Sequence, residues 1–233
     1  MSNKKLGLYE SWILYADMTN STEFFSTMKE VINDHAQEFQ MASASYCHQI
    51  SEWFDLVELE IKSLPGAELV NTMGDAFLAR GVQGHGTPHI TSQADNLLAV
   101  AKKIKENGDR LLDGLRAEVQ RFYIDHGISG IIFPSLAAKI TVSQGYQVMD
   151  FTRNIYVGDT INHCCRVASQ VFKGLNDCVV ITDRFFDVLP ELSQQKYQQY
   201  DKPIELQNYP KKNASSPVIF YALPLTAITS DGT

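Results

Sequence analysis

Two aspartates in this chain sit where apolar runs break off into turns. Asp17 closes the run in Ile13–Thr22 (ILYADMTNST), and Asp75 follows a glycine in Leu69–Ala79 (LVNTMGDAFLA). A strand that ends on a carboxylate is a natural place for metal chemistry. Two carboxylates about 4 Å apart repel by roughly 4 kcal/mol at an effective dielectric of about 20, and a cation between them removes that cost. A third stretch, Ile155–Ser169 (IYVGDTINHCCRVAS), reads as a strand running into a helix. Asn162 and Arg166 stand four residues apart there, on one helical face. Two acids, an amide and a guanidinium are the parts needed to hold a nucleoside triphosphate.

The elements that must position these residues can be read from pattern and punctuation. Residues 11–17 alternate and run apolar into Asp17, as a buried strand does. Ser21 and Thr22 precede Glu23 and a periodic stretch to about Phe54, a capped helix with a second start near Asp34. Pro65 and Gly66 break the chain before strands at Glu68–Thr72 and Ala76–Arg80, joined as a hairpin by the tight turn Met73-Gly74-Asp75. Residues 81–90 are glycine-rich and loop-like. Helical periodicity from Thr91 to about Asp125 is interrupted near Gly108 and Gly114. Strands follow at Ala138–Val148, with Gly145 a bulge or turn, and at Asn154–Val157, after which Asp159 or Thr160 caps a helix. Cys178–Thr182 is a further strand, Asp183 opens a short helix, and Pro217–Leu223 closes the chain as a strand. This order predicts an α/β (α+β) sandwich with a mixed, largely antiparallel sheet flanked by helices. It reads as one domain over 1–233, with a core at about 11–190 and C-terminal strands at about 195–223.

Composition narrows the function classes. The chain has 233 residues, 44% hydrophobic and 20% charged, which suits a folded globular protein. No apolar run approaches the roughly 18 residues of a membrane helix. MSNKKLGLYE lacks the apolar core of a signal peptide, so the expected location is cytoplasmic, with no membrane partner. A net charge of −7 argues against nucleic acid as a partner. Cys47, Cys164, Cys165 and Cys178 lack CxxC spacing and read as buried reduced thiols. His85 and His89 lie in the loop GHGTPH, where their spacing does not suit a metal.

Four of these stretches resemble a known family, in the family's order and over about residues 11–170. ILYADMTNST resembles the first metal-binding segment of class III nucleotidyl cyclases, usually written FADIxGFT, and NTMGDAFLA resembles the second, KTIGDxYMA. AAKITVSQGYQV is similar to RIGIHTGPVVA, and VGDTINHCCRVAS to WGDTVNLASRMES. The resemblance implies a class III nucleotidyl cyclase catalytic domain. In it, Asp17, Asp75 and the carbonyl of Met18 would hold two divalent cations, Mn2+ or Mg2+. Backbone amides of Thr19, Asn20, Ser21 and Thr22 would bind phosphate, Asn162 would orient the ribose, and Arg166 would stabilise charge at the phosphorus. The family usually has glycine where this chain has Asn20, and Asn tolerates left-handed backbone better than most residues. Metal residues and the Asn/Arg pair come from different subunits in this family, so the resemblance implies a homodimer with two composite sites.

The family's purine-selecting positions lie three residues before Gly74 and three before Gly158. Adenylate cyclases usually carry Lys with Asp or Thr, and guanylate cyclases Glu with Cys or a small polar residue; here they are Asn71 and Ile155. Asn71 can read uracil or the amine edge of cytosine, while Ile155 adds apolar bulk that shortens the pocket. Tyr46 is a further candidate for filling or stacking there, or else a core residue. A lost purine code with no attached sensor resembles the bacterial pyrimidine cyclases of the antiphage Pycsar system, which implies UTP in preference to CTP as substrate. It also implies a separate effector that binds the cyclic product. A divergent adenylate or guanylate cyclase, and a degenerate nucleotide-binding dimerisation module, are the other readings. The diguanylate cyclase turn GG[DE]EF is absent.

Overall fold

A computed structural model describes residues 6–84, 88–150, 155–171, 177–197, 201–203, 219–226 and 228. The elements in chain order are β1 (Gly7–Met18), α1 (Ser21–Lys29), α2 (Ala36–Lys62), β2 (Ala67–Met73), β3 (Ala76–Val82), α3 (Ile90–Asp125), β4 (Ala138–Asp150), β5 (Ile155–Val157), α4 (Asp159–Val171), β6 (Cys178–Thr182), α5 (Asp183–Phe186), α6 (Glu191–Tyr197), β7 (Asp201–Pro203) and β8 (Ile219–Pro224). One sheet carries the strands in the order β2-β3-β1-β4-β6-β8-β7, with β5 on the far end of β4. Among the described residues only β4 and β6 run parallel, and the remaining pairs are antiparallel. The mixed, largely antiparallel sheet with flanking helices is the fold class expected from sequence.

Alternation along β1 divides its side chains between two layers. Trp12, Leu14, Ala16 and Met18 enter the main core with Trp53 and Val57 of α2 and Leu97, Ile104 and Leu115 of α3. Ile13 and Tyr15 face the other way, where Ile161, Cys164 and Cys165 of α4 pack on them. Asp17 shares that second face by the same period. β1 pairs without interruption with β4 from Gly7↔Met149 to Met18↔Ala138, so the end of β1 and the start of β4 lie side by side.

Several local expectations are corrected. The second helix start expected near Asp34 is present, with the break at 30–35, but that helix runs on past Phe54 to Lys62. α3 continues through Gly108 and Gly114. At Gly108 an added Cβ would lie 2.5 Å from the Trp53 ring, so the glycine serves a close approach of α3 to α2. Gly145 sits in regular register opposite Ser11 and marks where Thr160 of α4 approaches, its hydroxyl 2.5 Å from a would-be Cβ. The irregularity lies in β2 instead, between Leu69 and Asn71. Cys47 is exposed, whereas Cys164 and Cys178 are buried as expected, Cys165 is half-buried, and all four are free thiols. Asp183 opens α5 as expected, and Thr182 before it is the cap, its hydroxyl accepting the Phe185 N–H. His89 caps α3, its ring accepting the Thr91 N–H, while His85 lies outside the described residues. Among the described residues no helix is long and apolar enough to cross a membrane.

Candidate active site

The site is built where β1 ends, β4 begins and the β2–β3 hairpin turns. Asp17 faces Lys139 across a register pair, and Lys139 Nζ lies 2.9 Å from Asp17 Oδ2. The other oxygen, Oδ1, accepts the Met18 N–H at 2.9 Å. Met18 itself turns its side chain into the core, so its main chain alone is available to a ligand. Asp75 follows Gly74, whose φ of +66° makes the tight turn. The indole N–H of Trp53 on α2 donates to the Asp75 carbonyl at 3.1 Å and fixes that turn.

Asp75 Oδ2 is buried without a hydrogen-bond partner among the described residues. Burial, and then the charge of Asp17, push the Asp75 carboxyl above its ordinary range; the Ser21 hydroxyl, its own N–H and Lys139 pull the other way. A buried carboxylate oxygen with no donor, beside a second carboxylate, fits a divalent cation. Hard oxygen donors are the set such ions prefer. Burial and the same Asp17 charge raise the neighbouring Tyr15 phenol, and they push Cys165 up to about 11, so both stay protonated.

The loop over residues 19–22, expected from sequence to bind phosphate, is more particular than that reading suggested. α1 starts at Ser21, and Asn20 before it adopts left-handed φ 57°, ψ 14°, the one non-glycine with positive φ among the described residues. Thr19 N–H is committed to the Ala137 carbonyl at 2.8 Å, which removes it from the amides expected to bind phosphate. The amides of Ser21, Thr22 and Glu23 form the first turn of α1, where intrahelical acceptors are lacking.

The strands that carry Asn71 and Ile155 are tied together by a buried arginine. In β2 the irregularity after Leu69 makes Asn71 the partner of Leu78, and Leu78 packs with Ile13 on the α4 face. Cross-strand partners share a face, so Asn71 lies on the side of the sheet that carries Tyr15 and Asp17. Arg80, 2% exposed, donates to Glu68 of β2 at 2.9 Å, and its guanidinium lies 3.7 Å from the Tyr156 ring centroid. This stack fastens β5, which Ile155 begins opposite Asp150, to the hairpin that carries Asn71. Tyr46 stacks on Phe24 and tilts against Phe25, both at 5.8 Å, a packing position under α1. Its phenol is pushed up to about 12 by burial and then by the charge of Asp75.

Asn162 and Arg166 are both exposed on α4, and the opposite side of that helix, with Cys164 and Val167, is buried. The structure thus gathers Asp17, Asp75, Ser21 and Lys139, and leaves the Asn162/Arg166 pair on the outer face of the next layer. Lys139 was not among the residues singled out from sequence. Its signal was there: it is the lone cation at the mouth of a strand, Ala138–Asp150, that is otherwise apolar and polar-neutral until Asp150.

No protein-family profile matches the chain, and no curated protein matches it. Solved structures do resemble it. The adenylyl cyclase CyaB from P. aeruginosa aligns at 13% identity over 94% of this chain and 95% of that chain, with a TM-score of 0.53. The catalytic core of a rhodopsin-guanylyl cyclase with converted specificity, in complex with ATPalphaS, aligns at 17% identity over 94% and 99%, also at 0.53. The chain has the fold of a nucleotidyl cyclase catalytic domain. The guanylyl cyclase domain of the RhoGC fusion protein from Blastocladiella emersonii, as a double mutant, aligns at 16% identity over 94% and 98%, with a TM-score of 0.52. At such identities the cyclase fold is what is shared, and the chemistry rests on the residues themselves.

Proposed function

We propose that this protein is a nucleotidyl cyclase that converts UTP to 3′,5′-cyclic UMP and pyrophosphate. The observation that carries this reading is the convergence of Asp17, Asp75 and Lys139 beside the first turn of α1, with Asp75 Oδ2 buried and unpartnered, within a cyclase fold.

In the reaction the ribose 3′-oxygen bonds to the α-phosphorus as the bond from that phosphorus to the β-phosphate oxygen breaks. The hydroxyl proton passes to solvent water, and pyrophosphate leaves with the electron pair. Asp17, Asp75 and the Met18 carbonyl would hold two Mn2+ or Mg2+ ions, which supply a lowered hydroxyl pKa and neutralise charge on the leaving group. Lys139, already facing Asp17, carries a mobile cation that can turn to the β- and γ-phosphates. The amides of Ser21 and Thr22 at the start of α1 receive phosphate oxygens, aided by the helix dipole. Asn162 orients the ribose and Arg166 compensates charge on the pentavalent phosphorus. Both stand exposed on α4, where they can serve the acidic residues of a second copy, so the working form is a homodimer with two composite sites.

Base choice falls to Asn71, whose amide can donate to and accept from uracil, with Ile155 in place of the second purine-reading group. CTP is the second reading, because the same amide also meets the amine edge of cytosine. By its resemblance to the Pycsar cyclases, the product is a cytoplasmic second messenger of antiphage defence that acts through a separate cyclic-nucleotide-binding effector. The test is purified protein with manganese and each of ATP, GTP, CTP and UTP, products read by mass spectrometry beside Asp75→Ala. Cyclic UMP that disappears in the variant supports the reading; ATP turned over far better than UTP or CTP overturns the base assignment.

A further inference from the structure

Asn20 occupies the position where the cyclase-like segment would carry glycine, and the structure shows what it does there. Its backbone takes the left-handed conformation that a glycine would take, with its carbonyl accepting the Phe24 N–H at 2.8 Å. Glycine has no further capacity at such a site. Asn20 does: its side-chain Nδ2 donates to the Ser135 carbonyl at 2.9 Å, 115 residues away.

Ser135 belongs to the connection between α3 and β4, and that connection grips the loop at two more points. Thr19 N–H donates to Ala137 O at 2.8 Å, and Ala137 N–H donates to Thr19 Oγ1 at 2.8 Å. Between these contacts Leu136 is buried in the core. The two residues that follow continue the same line: Ala138 N–H donates to Asp109 Oδ1 at 2.9 Å, and Lys139 reaches Asp17. Asp109 is itself paired with the fully buried Lys105 of α3.

The connection is held in place by the long α3. Gln120 accepts the Phe133 N–H at 3.3 Å and donates to Ile131 O at 2.9 Å. Phe133 packs on Phe24 at 4.9 Å and on Tyr123 at 5.5 Å, while the Tyr123 hydroxyl donates to Met28 O at 3.1 Å. The long α3 thus forms a backing behind α1 and the loop that precedes it.

We infer that Asn20 is a positioning residue, whose side-chain amide latches the phosphate loop to the α3–β4 connection and sets the direction of the α1 amides toward an anion. This inference rests on the reading of the loop as a phosphate site. It differs from a tolerance argument in a testable way. If left-handed backbone were all that mattered, glycine would serve as well as asparagine or better, since it adopts φ > 0 without cost. If the latch matters, glycine keeps the backbone and loses the function.

The experiment measures binding of manganese pyrophosphate by calorimetry to the full chain and to Asn20→Gly and Asn20→Ala, with melting temperatures alongside. The latch predicts a dissociation constant about three- to tenfold weaker for Asn20→Gly, the range that one neutral hydrogen bond supplies. It predicts a still weaker one for Asn20→Ala, which also bears the left-handed backbone. With UTP, Asn20→Gly raises KM and leaves kcat close to that of the parent. An Asn20→Gly constant equal to that of the parent, or a lowered melting temperature with unchanged binding, overturns the latch while the phosphate site stands. A parent protein that does not bind manganese pyrophosphate overturns the phosphate site itself, and the latch with it.

Discussion

Lys139 Nζ stands 2.9 Å from Asp17 Oδ2, donated across a register pair of two neighbouring strands. In the proposed reaction this lysine compensates the carboxylate when no metal is bound and turns to the triphosphate when one is. The two duties have opposite signatures. Lys139→Met should bind manganese alone more tightly, because a competing cation is gone. It should bind the manganese–triphosphate complex about 10- to 100-fold more weakly, the scale of a hydrogen bond to a charged group. Titrations of Mn2+ with and without nucleotide check both; loss of Mn2+ binding in the variant would show that the lysine supports the metal residues instead.

Asp75 carries a cost of burial. Its carboxyl is raised by burial and by Asp17, so the folded protein holds that proton more tightly than the unfolded chain does. Its contribution to stability is therefore present below the ordinary carboxylate value of 3.8 and is lost as pH rises through the raised value. In chelator at neutral pH, Asp75→Asn should melt higher than the parent, by about 2–4 °C for each 1 kcal/mol relieved. The difference should vanish near pH 3. Manganese should raise the melting temperature of the parent and leave Asp75→Asn unchanged. Thermal scans across pH, with and without manganese, decide this; a variant that melts lower at neutral pH contradicts the account.

How much of this was legible in the sequence varied with the kind of interaction. Strand-end Asp17 and turn-borne Asp75 were readable because an apolar run that breaks at an acid is a local signal, and so was the left-handed tolerance of Asn20. Lys139 was missed because its partner lies 122 residues away and only the β1–β4 register brings them together. Gly108 was misread as a helix interruption and Gly145 as a bulge or turn because a glycine at a close approach looks the same as a glycine at a turn until Trp53 and Thr160 are in place. The Ser135 and Ala137 carbonyls that hold the loop before α1 are backbone groups, which no side-chain pattern announces.

The irregularity before Asn71 re-aims that residue onto the face shared with Asp17, which gives a prediction for base reading. Asn71 is exposed, so Asn71→Ala should leave the fold and manganese pyrophosphate binding intact. It should lower kcat/KM for UTP by about 10- to 100-fold, the cost of an unmade hydrogen-bond pair to the base. Steady-state kinetics on UTP with parallel pyrophosphate binding test it; an unchanged kcat/KM removes Asn71 from the pocket.

The outward placement of Asn162 and Arg166 is the feature on which the composite site depends. Asp75→Ala and Arg166→Ala should each lose turnover by about 10³-fold or more, with Arg166→Ala keeping the parent's melting temperature. Co-expressed in equal amounts, the two inactive chains should recover about a quarter of the parent's cyclic UMP formation. Half of randomly paired dimers then hold one variant of each kind, with one of their two sites intact. The measurement that tests the account most directly is this mixing experiment, read as cyclic nucleotide by mass spectrometry. Recovery near that level is the predicted result; a mixture as silent as either variant alone, beside an active parent, would contradict a site shared between two copies.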